Sequence, residues 1–225
     1  MTQQEYEKHF QESCSLRDAF WRSIGKLDAD VLAPVINPAL RGGARWPSWR
    51  QAWVTVRTPQ TTIIASDGLS DPFDDLSEGE DGKAYNGFGL ELYVRAPGDL
   101  AAVNESWEFD LLYQAAQLAA DQGNFWAVLK KLRYMTAELY HVGVPREFQN
   151  PEGCAGALLG LPSDTIPAET ALSLETISIV NVKLLTLREL EYAVQTGKGG
   201  REKLADLIIN QGNPTYSDLN RKSVI

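Results

Sequence analysis

Ala52-Trp53-Val54-Thr55-Val56-Arg57, Thr61-Thr62-Ile63-Ile64-Ala65-Ser66 and Phe88-Gly89-Leu90-Glu91-Leu92-Tyr93-Val94-Arg95 decide the fold. Each run is rich in β-branched and aromatic residues, and a turn signal bounds it. In the third run Phe88, Leu90, Leu92 and Val94 alternate with Gly89, Glu91, Tyr93 and Arg95, which predicts a half-buried antiparallel strand. Between the second and third runs lies Asp67-Gly68-Leu69-Ser70-Asp71-Pro72-Phe73-Asp74-Asp75-Leu76-Ser77-Glu78-Gly79-Glu80-Asp81. Seven of those fifteen residues are carboxylates and none is Lys or Arg, so this loop is the one unusual charge feature of the chain. Leu69, Phe73 and the Asp71-Pro72 turn predict that its first third is ordered against the body.

Upstream, residues 3–25 read as helix in two pieces. Tyr6, Phe10 and Cys14 repeat every fourth residue, and Ser15 with Asp18 resembles a second start before Phe20, Trp21 and Ile24. Residues 33–50 carry Pro34, Pro38, Gly42, Gly43 and Pro47 and read as loop. There Arg41, Arg45, Arg50 and Arg57 interleave with Trp46, Trp49 and Trp53, a mixture that can stack on and neutralise a nucleic acid. The preferred expectation is structural: tryptophans anchor the loop and arginines pair with nearby carboxylates.

Downstream, Asn104 predicts one helix start, and Asn124 predicts a second helix running to Gly143-Val144-Pro145, with Leu129, Leu132 and Leu139 facing inward. Cys154 to Leu161 and Leu174 to Leu185 read as strands, the second buried on both faces or bulged. Thr186 and Glu189 form a T-x-x-E capping box opening a helix that Gly197 closes, and Arg201 to Asn210 is the last helix. The sum predicts an α+β protein: a mixed or antiparallel sheet with helices packed on it, in a single domain. Its expected parts are a helical segment at 1–28, the α+β body at 29–213 and a tail at 214–225.

Of the 225 residues, 21 are Lys or Arg and 30 are Asp or Glu, giving a net charge of −9. That balance opposes binding to nucleic acid or anionic membrane and suits a basic protein partner. Two cysteines make no disulfide framework, and no apolar run is long enough to span a bilayer. The N-terminus lacks a signal-peptide pattern, so cytoplasmic residence is expected.

No catalytic constellation emerges. His9 and His141 are the only histidines; His141 could meet Cys14 or Cys154 in space, and a helix-end role is the plainer reading. The acidic loop 67–81 fails EF-hand spacing, since Phe73 falls where a ligand is required. A looser metal site serving a hydrolase, and a self-associating structural role, are the alternatives to a binding function. No catalytic residue, cofactor or metal ligand is expected. The expected partner-binding residues are Asp67, Leu69, Asp71, Phe73, Asp74, Asp75, Glu78, Glu80 and Asp81.

The order Ile63-Ile64-Ala65-Ser66-Asp67-Gly68-Leu69-Ser70-Asp71-Pro72-Phe73, Gly87-Phe88-Gly89-Leu90-Glu91-Leu92 and Ile177-Ser178-Ile179-Val180-Asn181-Val182-Lys183-Leu184-Leu185 resembles the Suppressor of fused-like (Sufu) domain family. The likeness covers roughly residues 30–220 and looks like a bacterial, single-domain form. The resemblance implies a non-enzymatic protein-binding module. Animal members restrain a transcription regulator, and bacterial members are proposed as immunity proteins that neutralise toxins. It carries over no catalytic residue.

Overall fold

The computed structural model describes residues 1–79 and 81–225. Helix α1, Gln3–Ile24, starts at Thr2, whose hydroxyl accepts from Glu5 N–H while the Glu5 carboxylate accepts from Thr2 N–H. It is one helix rather than two pieces. Ser15 does not restart it, because its hydroxyl bonds back to the Gln11 carbonyl at 2.9 Å. Its deepest residues, Ser13, Arg17 and Trp21, fall at intervals of four and form the stripe that meets the sheet.

The eight strands are β1 (Lys26–Leu27), β2 (Trp53–Arg57), β3 (Thr61–Ser66), β4 (Leu90–Pro97), β5 (Met135–Leu139), β6 (Ala155–Leu159), β7 (Glu169–Ala171) and β8 (Thr176–Leu184). They form one mixed sheet in the order β1-β2-β3-β4-β8-β6-β5, with β7 alongside the first half of β8. Among the described strands only β4 and β8 pair in parallel, with Leu90 opposite Ser178 and Tyr93 opposite Asn181. Three further helices cover the sheet: α2 (Trp107–Asp121), α3 (Phe125–Leu132) and α4 (Leu187–Asn210). This is the expected α+β single domain.

Both faces of the central strands are covered. Ile64, Leu90, Leu92, Val94, Val180 and Val182 pack with α2 and α3 residues such as Leu111, Leu112 and Leu129. The alternating set Val54, Val56, Ile63, Tyr93, Ile177 and Ile179 packs with Trp21 of α1. Leu158, Leu185, Leu190, Leu204 and Ile208 bury the inner side of α4. Burial on both faces, one of the two expectations for Leu174 to Leu185, is what β8 shows. It also corrects the reading of β4 as half-buried: Glu91 is 0 % exposed, on an interior strand whose solvent side does not exist.

Two further expectations change. Asn104 lies in a 3-10 turn, and α2 is capped by Ser106, whose hydroxyl accepts from Phe109 N–H at 3.2 Å. The helix from Asn124 stops at Leu132, and residues 135–139 pair with β6 as a strand. Arg133 makes the break. It sits at φ 65, ψ −46, close to a strained γ-turn, without a glycine to announce it. Strand pairing thus overrode a helical spacing that continued to Leu139. As expected, the C-terminal helix is divided at Gly197, which adopts φ 64, ψ −143.

Residues 33–50 are irregular apart from a 3-10 turn at Pro38–Arg41. Trp46 and Trp53 are buried edge-to-face at 5.3 Å, while Trp49 is exposed. Arg45 pairs with Asp74, Arg50 with Asp67, and Arg57 with Asp28 and Asp99. Residues 214–225 lie along the body: Ser217 N–H donates to Arg95 O at 2.8 Å, and Arg221 pairs with Glu189.

Candidate functional site

The acidic loop divides into a buried half and an exposed half. Asp67 leaves β3 with its N–H on Ala52 O at 2.8 Å. Gly68, at φ +150, passes so close to the body that a Cβ would lie 2.7 Å from Arg50 O. Beyond it Leu69, Ser70, Asp71 and Pro72 are all buried. Arg17 reaches in from α1: its Nε donates to Asp67 Oδ1 at 2.8 Å, its Nη1 to Ser70 Oγ at 3.2 Å, and its Nη2 to Asp71 Oδ1. Arg50 closes the other side through Nη2 to Asp67 Oδ2 and Nη1 to Asp67 O at 2.9 Å. Ser48 Oγ donates to Asp71 Oδ2 at 2.8 Å.

Glu91 sits beneath this pair of arginines. It accepts from Gly68 N–H and Ser70 N–H at 3.0 Å each, from Ser70 Oγ at 2.6 Å, and from Ser66 Oγ. Asn86 ties the far wall: its amide donates to Ser13 Oγ at 2.8 Å and Ser70 O at 3.1 Å, and its carbonyl accepts from Leu174 and Glu175 N–H. One polar network therefore joins α1, the loop, β4 and the turn before β8. A buried network of this kind stays ordered because nearly every lone pair and proton has a partner.

Charge follows geometry. Burial alone would lower the Arg17 guanidinium, but Asp71, Asp67 and Glu91 overcome it and raise its pKa. Burial would raise the Asp67 carboxyl, but Arg17 and Arg50 hold it below its ordinary value. For Glu91, burial dominates over Arg17 and its pKa is raised. The two carboxyls act oppositely on stability. Glu91 favours the folded state as it takes up its proton, above the usual glutamate value of about 4.3. Asp67 supplies stability above the usual aspartate value of about 3.9, and that stability is lost as pH falls through its lower folded value. Acid titration of unfolding free energy should therefore show Glu91 offsetting losses above its usual value of about 4.3, and a fall as pH drops below the usual aspartate value of about 3.9. Asp67→Asn should flatten the fall; an unchanged profile would show that Asp67 is not its source.

The exposed half begins at Phe73, half-buried edge-on to Phe88 at 5.9 Å. Asp74 is half-buried and accepts from Arg45. Asp75, Glu78 and Asp81 are exposed. Asp75 accepts from Ser77 N–H, Glu78 from the Met1 amine and Asp81 from Tyr85 OH at 2.6 Å. Glu80 lies outside the described residues. Of the nine residues expected to meet a partner, Asp67, Leu69 and Asp71 are thus interior, and Phe73, Asp74, Asp75, Glu78 and Asp81 reach the surface to differing degrees.

The sequence reading missed Arg17, Ser70, Asn86 and Glu91 as members of one network. Their only signal was a charge on the apolar stripe of α1 and another on a strand rich in apolar residues. Among the described residues, no group of three or more His, Cys, Asp or Glu is placed to hold a metal ion. Burial pushes the Cys14 thiol up to about 11, the opposite of an activated nucleophile. His141 is exposed at the end of β5, at φ 59. No described helix is long and apolar enough to cross a membrane.

Comparison with known proteins supplies a lineage for this arrangement. The chain is similar over 96% of its length to a chain of a structure described as "the Sufu-Fu complex crystal structure", with a TM-score of 0.60, 13% identity and 92% of that chain covered. It is similar, again over 96%, to Drosophila Suppressor of Fused, with a TM-score of 0.61 and 14% identity; there it spans 51% of the longer chain. No curated protein matches it by sequence. The family model for Suppressor of fused protein matches residues 51–222, from the strand β2 to the Arg221 that clasps Glu189, so the chain belongs to the Suppressor of fused family.

Proposed function

We propose that this protein is a non-enzymatic binding module that sequesters a cognate protein, as an immunity-type inhibitor or a regulator, in the cytoplasm. The observation that carries the reading is the division of the acidic loop. Its inner carboxylates are consumed by Arg17 and Arg50, which makes a rigid base, and its outer carboxylates Asp75, Glu78 and Asp81 stand exposed on that base. Glu78 lies beside the Met1 amine and Asp81 beside Lys83 at 3.5 Å, so the exposed acids are partly offset locally, and the net charge of −9 behind them suits capture of a basic protein surface. Family membership supports the same reading, since one of the matched structures is a Sufu protein in complex with Fu.

The test is affinity capture from native lysate with partner identification by mass spectrometry, followed by binding kinetics. Association should slow as salt rises, because exposed charges are screened beyond about 8 Å at physiological ionic strength. Asp75→Asn, Glu78→Gln and Asp81→Asn together should lower the association rate about tenfold and leave the melting temperature unchanged. An exhaustive capture without a partner, or association indifferent to both salt and these substitutions, refutes the reading.

A further inference from the structure

Nine large apolar side chains stand exposed among the described residues, and five of them, Val31, Val35, Ile36, Leu40 and Trp49, come from one loop. A single exposed apolar residue is ordinary on a protein surface. A group is not, because water penalises exposed apolar area at about 25 cal/mol per Å². Val35 is fully exposed, Leu40 is 68 % exposed and Trp49 is 53 % exposed. Val31, Val35 and Trp49 border one open cleft of about 390 Å³, so residues far apart in the loop meet on one surface.

These side chains have no room to turn inward. The inner side of the loop is filled by Trp46, which packs edge-to-face on Trp53. Leu32 exchanges both backbone hydrogen bonds with Trp53, at 2.9 and 2.8 Å. Asn37 Nδ2 donates to Trp49 O at 2.6 Å, and its Oδ1 accepts from Ala39 N–H at 2.9 Å. Gln51 Nε2 donates to Ala44 O at 2.9 Å, and Gln51 is held in turn by Gln117 of α2, whose Nε2 donates to Gln51 Oε1 at 3.0 Å. A loop pinned in this way has already lost the freedom that binding would otherwise cost.

The acidic loop adjoins this patch. The Arg45 guanidinium lies over the Trp49 ring at 5.6 Å and pairs with Asp74. Asp74 N–H donates to Pro47 O at 3.0 Å, and Asp75, the next residue, is exposed. Apolar centre and acidic border are therefore continuous, which is the anatomy of a protein–protein interface: a core that loses its water and a charged rim that keeps it. Local cations offset part of the border. Arg45 and Arg50 are taken up by Asp74 and Asp67, while Arg41, exposed next to Leu40, has no ion pair among the described residues. The net charge of −9 behind them keeps the surface attractive to a basic partner.

We propose that Val35, Leu40 and Trp49 are the anchoring centre of a docking surface for a basic protein, whose bulky apolar side chains cover this patch while its Lys and Arg residues meet the acidic loop. This rests on the sequestration reading and adds the surface that holds the partner once it has arrived. The acids act on encounter. The apolar centre acts on residence, because it is the water-free contact that must be broken on leaving. A second copy of this chain does not suit the surface, since each copy brings a charge of −9 and the same acidic border.

The probe is a random peptide library displayed on phage and selected against the full chain, which requires no cognate partner. Enriched peptides should combine Trp, Phe or Leu with Lys or Arg. For each such peptide, Val35→Ser with Trp49→Ser should raise the dissociation rate about tenfold and leave the association rate and the melting temperature unchanged. Arg41→Gln should speed association, since it removes a charge that repels a basic ligand; an acidic ligand would be slowed. No enrichment, enrichment of acidic peptides, or dissociation indifferent to Val35→Ser with Trp49→Ser overturns the proposal. If dissociation is indifferent while association still falls with the Asp75, Glu78 and Asp81 substitutions, this surface is wrong and the sequestration reading stands. A dimer in sedimentation equilibrium that Val35→Ser with Trp49→Ser abolishes would show that a second copy covers the patch, which also overturns the proposal.

Discussion

Replacing Arg17 with Met should lower the unfolding free energy by about 3–5 kcal/mol, the range found when one member of a buried ion cluster is removed. The size follows from what remains. Asp67 and Asp71 would keep only Arg50 and hydroxyl partners, and Glu91 would lose its nearest cation. Arg17 is 1 % exposed, so water cannot replace the lost donors without opening the seam between α1 and the loop. Urea denaturation followed by tryptophan fluorescence reads the loss, with Trp21 on the same helix reporting undocking. Asp67→Asn should cost less, because Asp71 still engages Arg17. Raised salt should rescue little of either loss, since buried charges are poorly screened. A loss below about 1 kcal/mol for Arg17→Met would mean that the network is ornamental and that apolar packing alone holds α1 in place.

The second large effect is expected at Lys183. Its side chain enters the protein from β8, 3 % exposed, with Nζ on the Tyr216 carbonyl. Burial and the neighbouring Arg221 push its pKa down to about 7, against the pull of Glu189 and Asp218. The unfolded chain therefore binds more protons than the folded one from about pH 7 up to the usual lysine value of about 10.4, and stability rises with pH across that window. Below pH 7 the amine is charged in both states and the full cost is present, on the order of a few kcal/mol. The clean interval is pH 7 to about 8.5, before thiols begin to titrate; above it the raised Cys14 thiol acts in the opposite direction. Lys183→Met should flatten the rise and make the protein more stable at pH 6, despite leaving the Tyr216 carbonyl without its donor, a loss of about 1 kcal/mol. A wild-type stability that is level from pH 7 to 8.5, or a Met variant weaker at pH 6, would show that Lys183 is solvated in the folded state.

The two effects share a cause. Both place a long cationic side chain where the sheet is covered on both faces, and both depend on segments far away in sequence. Arg17 meets Asp67 and Asp71 across fifty residues or more, and Lys183 meets Tyr216 across thirty-three. Local sequence preference cannot report such pairings, because nothing in the period of a helix or strand records what lies on the other side of the contact.

The strands β2, β3, β4, β6 and β8, the T-x-x-E start of α4, its division at Gly197 and the ordering of the first third of the acidic loop are all legible in the residues alone. These are set within a few residues, by side-chain alternation, hydroxyl caps and glycine dihedrals. Packing in three dimensions set the rest: residues 135–139 join the sheet, Glu91 is interior and α1 is unbroken. It also decided that the loop's acids serve two different purposes. Those outcomes depend on which surfaces meet: an edge of β6 recruits β5, and a helix laid over β4 removes the solvent side from Glu91.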